Sequence, residues 1–171
     1  MSDWDEIEVF ILKKGASRKR ILDVGCGDGE LLIKLAEESL FSELWCVDTY
    51  IEGAVSNIDR KGFSQRIKCL NAEAEDIPLE SHFFDFIYSL RSLHEFHSPV
   101  KALKEIKRLL ASNGETIIAD WKKEAKTGVS ERYYGKDELL KFLEEAGYNF
   151  RCIKLEEIGR FYIIFYFEKG F

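Results

Sequence analysis

Proline is scarce: the 171-residue chain carries two, Pro78 and Pro99. No Ser-, Gly- or Pro-rich tract divides it either, so nothing resembles a flexible linker, and residues 1–171 read as a single domain. Nowhere do about 18 uncharged apolar residues run together, which excludes an ordinary membrane-spanning helix. The opening MSDWDEIEVF lacks the basic start and long apolar run of a secretory leader, so a cytoplasmic location with no membrane partner is expected. Cys-x-x-Cys spacing is missing as well. Cys26, Cys46, Cys69 and Cys152 sit singly in apolar runs, which argues against a zinc site and a secreted disulfide framework, so no metal is expected. Positive charge is not in excess: the formal net charge is −6, which gives no general attraction to nucleic acid. The run KKGASRKR, residues 13–20, places five basic residues in eight. Without interleaved aromatic side chains it reads as a solvated connector rather than an RNA contact.

What is present alternates. Trp4, Ile7, Phe10 and Ile11 fall at helical spacing, so residues 1–19 read as an N-terminal helix and its connector. RILDVG then reads as a strand and GELLIKLAEE as a helix with Leu31, Leu32, Leu35 and Ala36 on one face. ELWCVD, IEGAVSNIDRKG and RIKCLN repeat the order strand, helix, strand, and HFFDFIYSL, SPVKALKEIKRLL and GETIIAD follow, with a turn expected at Asn113-Gly114. Such alternation implies a parallel sheet covered on both faces. The end differs: after the helix KDELLKFLEEAGY, capped at Gly147, NFRCIKLEEI and RFYIIFYFEK are joined only by a short turn at Gly159. A link that short permits only an antiparallel hairpin.

The chemistry-bearing stretch is DVGCGDGE, residues 23–30. Gly25, Gly27 and Gly29 stand where the first strand hands over to a helix, the place where a sheet's ligand comes closest to the backbone. A dinucleotide loop of form G-x-G-x-x-G needs its third glycine at position 30, where this chain has Glu30. Asp23, Asp28 and Glu30 disfavour a pyrophosphate and tolerate a ligand carrying an ammonium group. Asp48, 23 residues beyond Gly25 at the end of the second strand, is placed to accept both hydroxyls of a ribose.

These residues resemble the class I S-adenosylmethionine-dependent methyltransferases, in their small-molecule, type 11-like branch. LDVGCGDG matches the family's first motif, VDTY the acidic end of its second strand, and NAEAEDIPLESHFFDFIYSLRSLHEF its third block. The resemblance is strong over residues 20–121. It implies a Rossmann-like three-layer α/β sandwich with strand order 3-2-1-4-5-7-6 and strand 7 antiparallel. It also implies S-adenosyl-L-methionine as cofactor. Asp48 and Thr49 would then meet the ribose end, and Glu73 and Ala74 would bracket the adenine. Asp23, Gly25, Ser89 and Leu90 would hold the methionine part, with Gly27 and Gly29 completing the loop. The adenine acid is usually aspartate in this branch, and here it is Glu73.

In a methyltransferase so built, transfer to a small-molecule acceptor is an in-line displacement in which the protein chiefly positions the reactants. SLRSLHEFHSP places Arg91, His94, Glu95 and His97 where an acceptor would sit; His94 either takes the acceptor's proton or fills a packing position. Trp121 is a candidate wall of the acceptor pocket, and Tyr133 and Tyr134 either line that pocket or pack. The region before the first motif is short for a lid. The pocket must therefore be shallow, completed by the second subunit of a homodimer, or closed by the segment from Trp121 to Tyr134. The alternatives are a non-catalytic S-adenosylmethionine-binding partner subunit and an NAD-dependent oxidoreductase, the latter opposed by Glu30 and the terminal hairpin.

Overall fold

A computed structural model describes residues 2–168. Helix α1 (Asp3–Gly15) starts at a reciprocal cap: the Ser2 hydroxyl accepts from the Asp5 N–H at 3.2 Å, and the Asp5 carboxylate accepts from the Ser2 N–H at 2.7 Å. Strand β1 (Arg20–Val24), helix α2 (Glu30–Glu38), strand β2 (Glu43–Asp48), helix α3 (Glu52–Arg60) and strand β3 (Ile67–Asn71) follow. Next come β4 (Phe84–Leu90), α4 (Pro99–Leu109), β5 (Leu110–Trp121), α5 (Lys136–Glu145), β6 (Ile153–Ile158) and β7 (Phe161–Phe167). Pro99 opens α4, where its missing N–H would have no helical partner, and the Ser98 side chain caps the same turn.

The sheet order is β3-β2-β1-β4-β5-β7-β6, with β7 antiparallel to both neighbours and the other pairings parallel. Two apolar layers flank it. Ile7 and Ile11 of α1, Leu32 and Leu35 of α2 and Ile58 of α3 pack on one face with Phe86 and Tyr88. Leu103 and Ile106 of α4 and Leu143 of α5 pack on the other with Leu22 and Ile87. Burying one such side chain contributes about 1.5–3 kcal/mol, and the order of strands follows from covering both faces with short connections.

Three local expectations differ from what is observed. No turn separates α4 from β5: the strand starts at Leu110, and the positive φ of Asn113 marks an irregularity where the register with β4 slips between Phe84 and Phe86. Residues Phe150–Cys152 form a short 3-10 turn rather than the start of β6, with the Asn149 side chain capping it. Ala146 caps α5, and Gly147 stands one residue beyond with φ +77°, so the left-handed position comes after the cap. Of the last expected strand, Lys169 lies outside the described residues.

The basic run at 13–20 is largely engaged. Lys14 and Arg18 both bond the Glu115 carboxylate, and the Arg20 guanidinium lies 4.5 Å from the centre of the Phe83 ring. Among the described residues no helix is long and apolar enough to cross a membrane.

Candidate functional site

Parallel strands end in step, so the carboxyl ends of β1, β2, β4 and β5 deliver Gly25, Asp48, Arg91 and Trp121 to one edge of the sheet. Two cavities open there, of about 520 and 310 Å³. Gly25, Asp48, Ser92 and Glu95 border both, so the two form one trough bent around the glycine loop.

The loop is built for close approach. Gly25 has φ +78°, and a Cβ there would stand 2.5 Å from Ser92 Oγ, whose hydroxyl donates to the Gly25 carbonyl at 3.0 Å. Gly27 has φ +56°, and a Cβ on it would meet no protein atom within 4 Å. A side chain there would stand in open space, and Gly27 borders the larger cavity. Gly29 serves a different purpose. It is buried, and a Cβ there would touch Ala54 and Ile58 at 3.4 Å, so it lets α2 pack against α3 and borders neither cavity.

The acids around the loop have distinct environments. Asp48 accepts the Gly27 N–H at 2.9 Å on one carboxylate oxygen and the Tyr50 N–H at 2.9 Å on the other. A carboxylate offers about four acceptor positions, so two remain. Asp23 is buried, and its pKa is pushed up to about 8. Burial is the main cause, the Tyr88 phenol beside it offsets part of the rise, and Asp48 and Asp28 add like-charge repulsion.

His94 also lines the larger cavity, next to Glu95. Its side chain is 4% exposed, and Nδ1 lies 2.7 Å from Asp120 Oδ1. Asp120, itself 4% exposed, also accepts the backbone N–H groups of His94 and Trp121 at 2.7 and 2.8 Å. His94 Nε2 faces Glu131 at 3.1 Å and Glu95 at 3.8 Å. Burial works to lower the imidazole pKa, but the bond to Asp120 and the fields of Asp120, Glu95 and Glu131 outweigh it and raise the pKa. The Tyr133 ring meets His94 edge-on, centroids 4.8 Å apart, and its hydroxyl donates to Glu131 at 2.9 Å.

Thus Asp23, Gly25, Gly27, Asp48, Leu90, Arg91, His94 and Trp121 line the larger cavity, and Thr49, Glu73 and Ala74 the smaller. Ser89 is buried away from both. Tyr133 and Tyr134 likewise line neither cavity: both are buried, Tyr133 packing edge-on against His94 and Tyr134 on Phe142 of α5 with ring centroids 4.9 Å apart. Glu131, Ser92, Trp4 and Glu8 belong to the larger cavity without having been singled out from sequence. Asp120 carried a usable signal, a carboxylate at the end of a parallel strand, as Asp48 does. Glu131, in an irregular segment, carried none.

A family described as methyltransferase domain matches residues 22–118. Malonyl-[acyl-carrier protein] O-methyltransferase of Geobacter sulfurreducens is 30% identical over 110 residues, 64% of this chain and 41% of that protein. The tRNA U34 carboxymethyltransferase of Idiomarina loihiensis is 28% identical over 122 residues, 68% of this chain and 37% of that protein. The chain therefore spans about two fifths of the length of these curated relatives. A crystal structure of a SAM dependent methyltransferase from Aquifex aeolicus superposes with a TM-score of 0.80 at 25% identity, covering 94% of this chain and 88% of that one. The glycine loop, the acid at the end of β2 and the reversed β7 thus have their counterpart in a known group, and this chain belongs to the class I S-adenosylmethionine-dependent methyltransferases, in the type 11 branch.

Proposed function

We propose that this chain transfers a methyl group from S-adenosylmethionine to a small-molecule acceptor held at the His94 end of the larger cavity. The observation that carries the reading is the bent trough itself: a glycine loop and two strand-end acids at its middle, and a carboxylate-bound imidazole at one end.

The residues present suit the cofactor. Gly27 leaves room where any side chain would intrude, and Asp48 keeps two acceptor positions for a vicinal diol. Asp23, buried with other acids nearby and no cation bonded to it among the described residues, suits an ammonium group. In this reading Asp48 and Thr49 hold the sugar, Glu73 and Ala74 flank the base, and Asp23, Gly25 and Leu90 hold the amino-acid end. Ser89 and Gly29 support the walls from behind. When bound, S-adenosylmethionine supplies a methyl group already activated on a sulfonium sulfur.

The protein's own part is placement and proton handling. Ser92 fixes the Gly25 carbonyl, and the Asp48 bond to Gly27 fixes the loop, so the reactants meet a frame that needs no rearrangement. Asp120 holds His94 through Nδ1, which aims Nε2 at the cavity. Once neutral, Nε2 accepts the acceptor's proton, and Glu131 at 3.1 Å carries it toward solvent. The segment from Trp121 to Tyr134 contributes Trp121 and Glu131 to the cavity wall, and α1 contributes Trp4.

The test is calorimetry with S-adenosylhomocysteine, followed by transfer of labelled methyl from S-adenosylmethionine to a panel of small amines, thiols, hydroxyl compounds and carboxylates, with tRNA as a further arm. Binding with transfer to a small molecule is expected. Absence of S-adenosylhomocysteine binding, or transfer to tRNA alone, would overturn the reading.

A further inference from the structure

We infer that the acceptor is an amine that enters the His94 end of the cavity as an ammonium cation; the inference rests on the methyl-transfer reading of that site. Three polar side chains converge there, two from adjacent residues and one from 37 residues beyond His94. His94 Nε2 and carboxylate oxygens of Glu95 and Glu131 all lie within 4.8 Å of one another, and Asp120 stands behind the imidazole. The larger cavity is lined by seven carboxyl side chains and three basic ones, Lys34, Arg91 and His94. Lys34 bonds Glu8, and the Arg91 guanidinium lies 3.8 Å from the centre of the Trp4 ring. The Glu95 carboxyl is pushed up by burial and, against the pull of His94, by the like charges of Glu131, Asp48 and Asp120. Carboxyl groups therefore outnumber basic ones around this open space.

The chemistry of the acceptor follows. A carboxylate or phosphate would meet like charge on three sides, and a hydroxyl compound would leave the carboxylates without a counter-charge. An ammonium group has three donors for Glu95, Glu131 and the neutral Nε2. Trp121, stacked on Phe161 with centroids 4.2 Å apart and with the Arg160 guanidinium 5.0 Å from its ring centre, adds an aromatic wall. Passage of one ammonium proton to Nε2 frees the nitrogen lone pair, which forms the new N–C bond. The electrons of the broken S–C bond stay on sulfur, the positive charge moves from sulfonium to the methylated nitrogen, and the proton on Nε2 leaves through Glu131 to water.

The test uses the full chain saturated with S-adenosylhomocysteine and three probes of one shape: phenethylammonium, 2-phenylethanol and 3-phenylpropanoate. Side-chain NMR signals of His94 and Trp121 report occupancy, and calorimetry reports affinity. Phenethylammonium is expected to shift both signals and to bind at least fivefold more tightly than either of the others. The double variant Glu95→Gln, Glu131→Gln is expected to erase that preference while still binding S-adenosylhomocysteine. Equal or tighter binding of the alcohol or the anion would overturn the inference. So would site-specific broadening of the His94 signal by micromolar Mn²⁺ that the double variant loses, since a metal ion would then occupy the ammonium's place. S-adenosylhomocysteine binding without an ammonium response overturns the amine alone; no S-adenosylhomocysteine binding overturns the methyl-transfer reading as well.

Discussion

The Gly27 N–H donates to the Asp48 carboxylate at 2.9 Å, tying the loop after β1 to the carboxyl end of β2. The other Asp48 oxygen holds the Tyr50 N–H at the same distance, so one side chain sets both sides of the trough's bend. Asp48→Ala removes the acceptor of both. We expect S-adenosylhomocysteine affinity to fall at least tenfold by calorimetry, and stability to fall by about 1–2 kcal/mol by urea unfolding. Unchanged affinity would take Asp48 out of the binding site.

Gly27→Val separates folding from binding. The new side chain meets no protein atom, so the folded state bears only the left-handed backbone, a cost of about 1–2 kcal/mol. Binding should be lost altogether, because the branched side chain projects beside the larger cavity. A variant that unfolds less readily than this, yet binds normally, would show that nothing passes close to Gly27.

Asp23 makes stability depend on pH in a definite direction. Its folded pKa is about 8 against 3.8 in the unfolded chain, so the folded state holds the proton more tightly. Its favourable contribution is complete below about pH 4, declines as pH rises toward 8 and is level above, at about 1.4 kcal/mol per pH unit in between. Asp23→Asn should gain stability relative to the parent across that window, measured by urea unfolding at each pH. A difference that stays flat from pH 4 to 8 would contradict the burial argument.

For His94 the folded pKa is raised above its ordinary 6.5, so its stabilising pairing with Asp120 is complete below that value and fades as pH rises through the folded one. Proton acceptance needs the neutral ring, so the methylation rate should rise over the same interval. Asp120→Asn should lower the imidazole pKa, read by NMR, and move the rate profile to lower pH while reducing its plateau by about 10²-fold. A profile that keeps its midpoint would make Asp120 a packing group only.

Much of this architecture is written locally. Short apolar runs alternating with helices marked the strands, and the short link at Gly159 required a hairpin, from which the reversed β7 followed. The position of Asp48 beside the glycine loop was legible from its place at the end of the second strand, and its carboxylate bonds the Gly27 N–H there. The ends of elements were less so: β5 begins at Leu110 because pairing with Phe84 of β4, a contact distant in sequence, holds residues that read as a turn.

The sequence by itself determined the layered sheet, the loop and the cofactor class, since each depends on hydrogen-bonding geometry and side-chain size within a few neighbouring residues. Only the tertiary structure decided which groups meet at the larger cavity. Glu131 reaches His94 from 37 residues away, Trp4 arrives from the first helix, and Tyr134 turns to α5 while Tyr133 turns to the imidazole. Those choices are made by packing between segments with no periodic pattern of their own, where the direction of each side chain is set by what the rest of the chain leaves open.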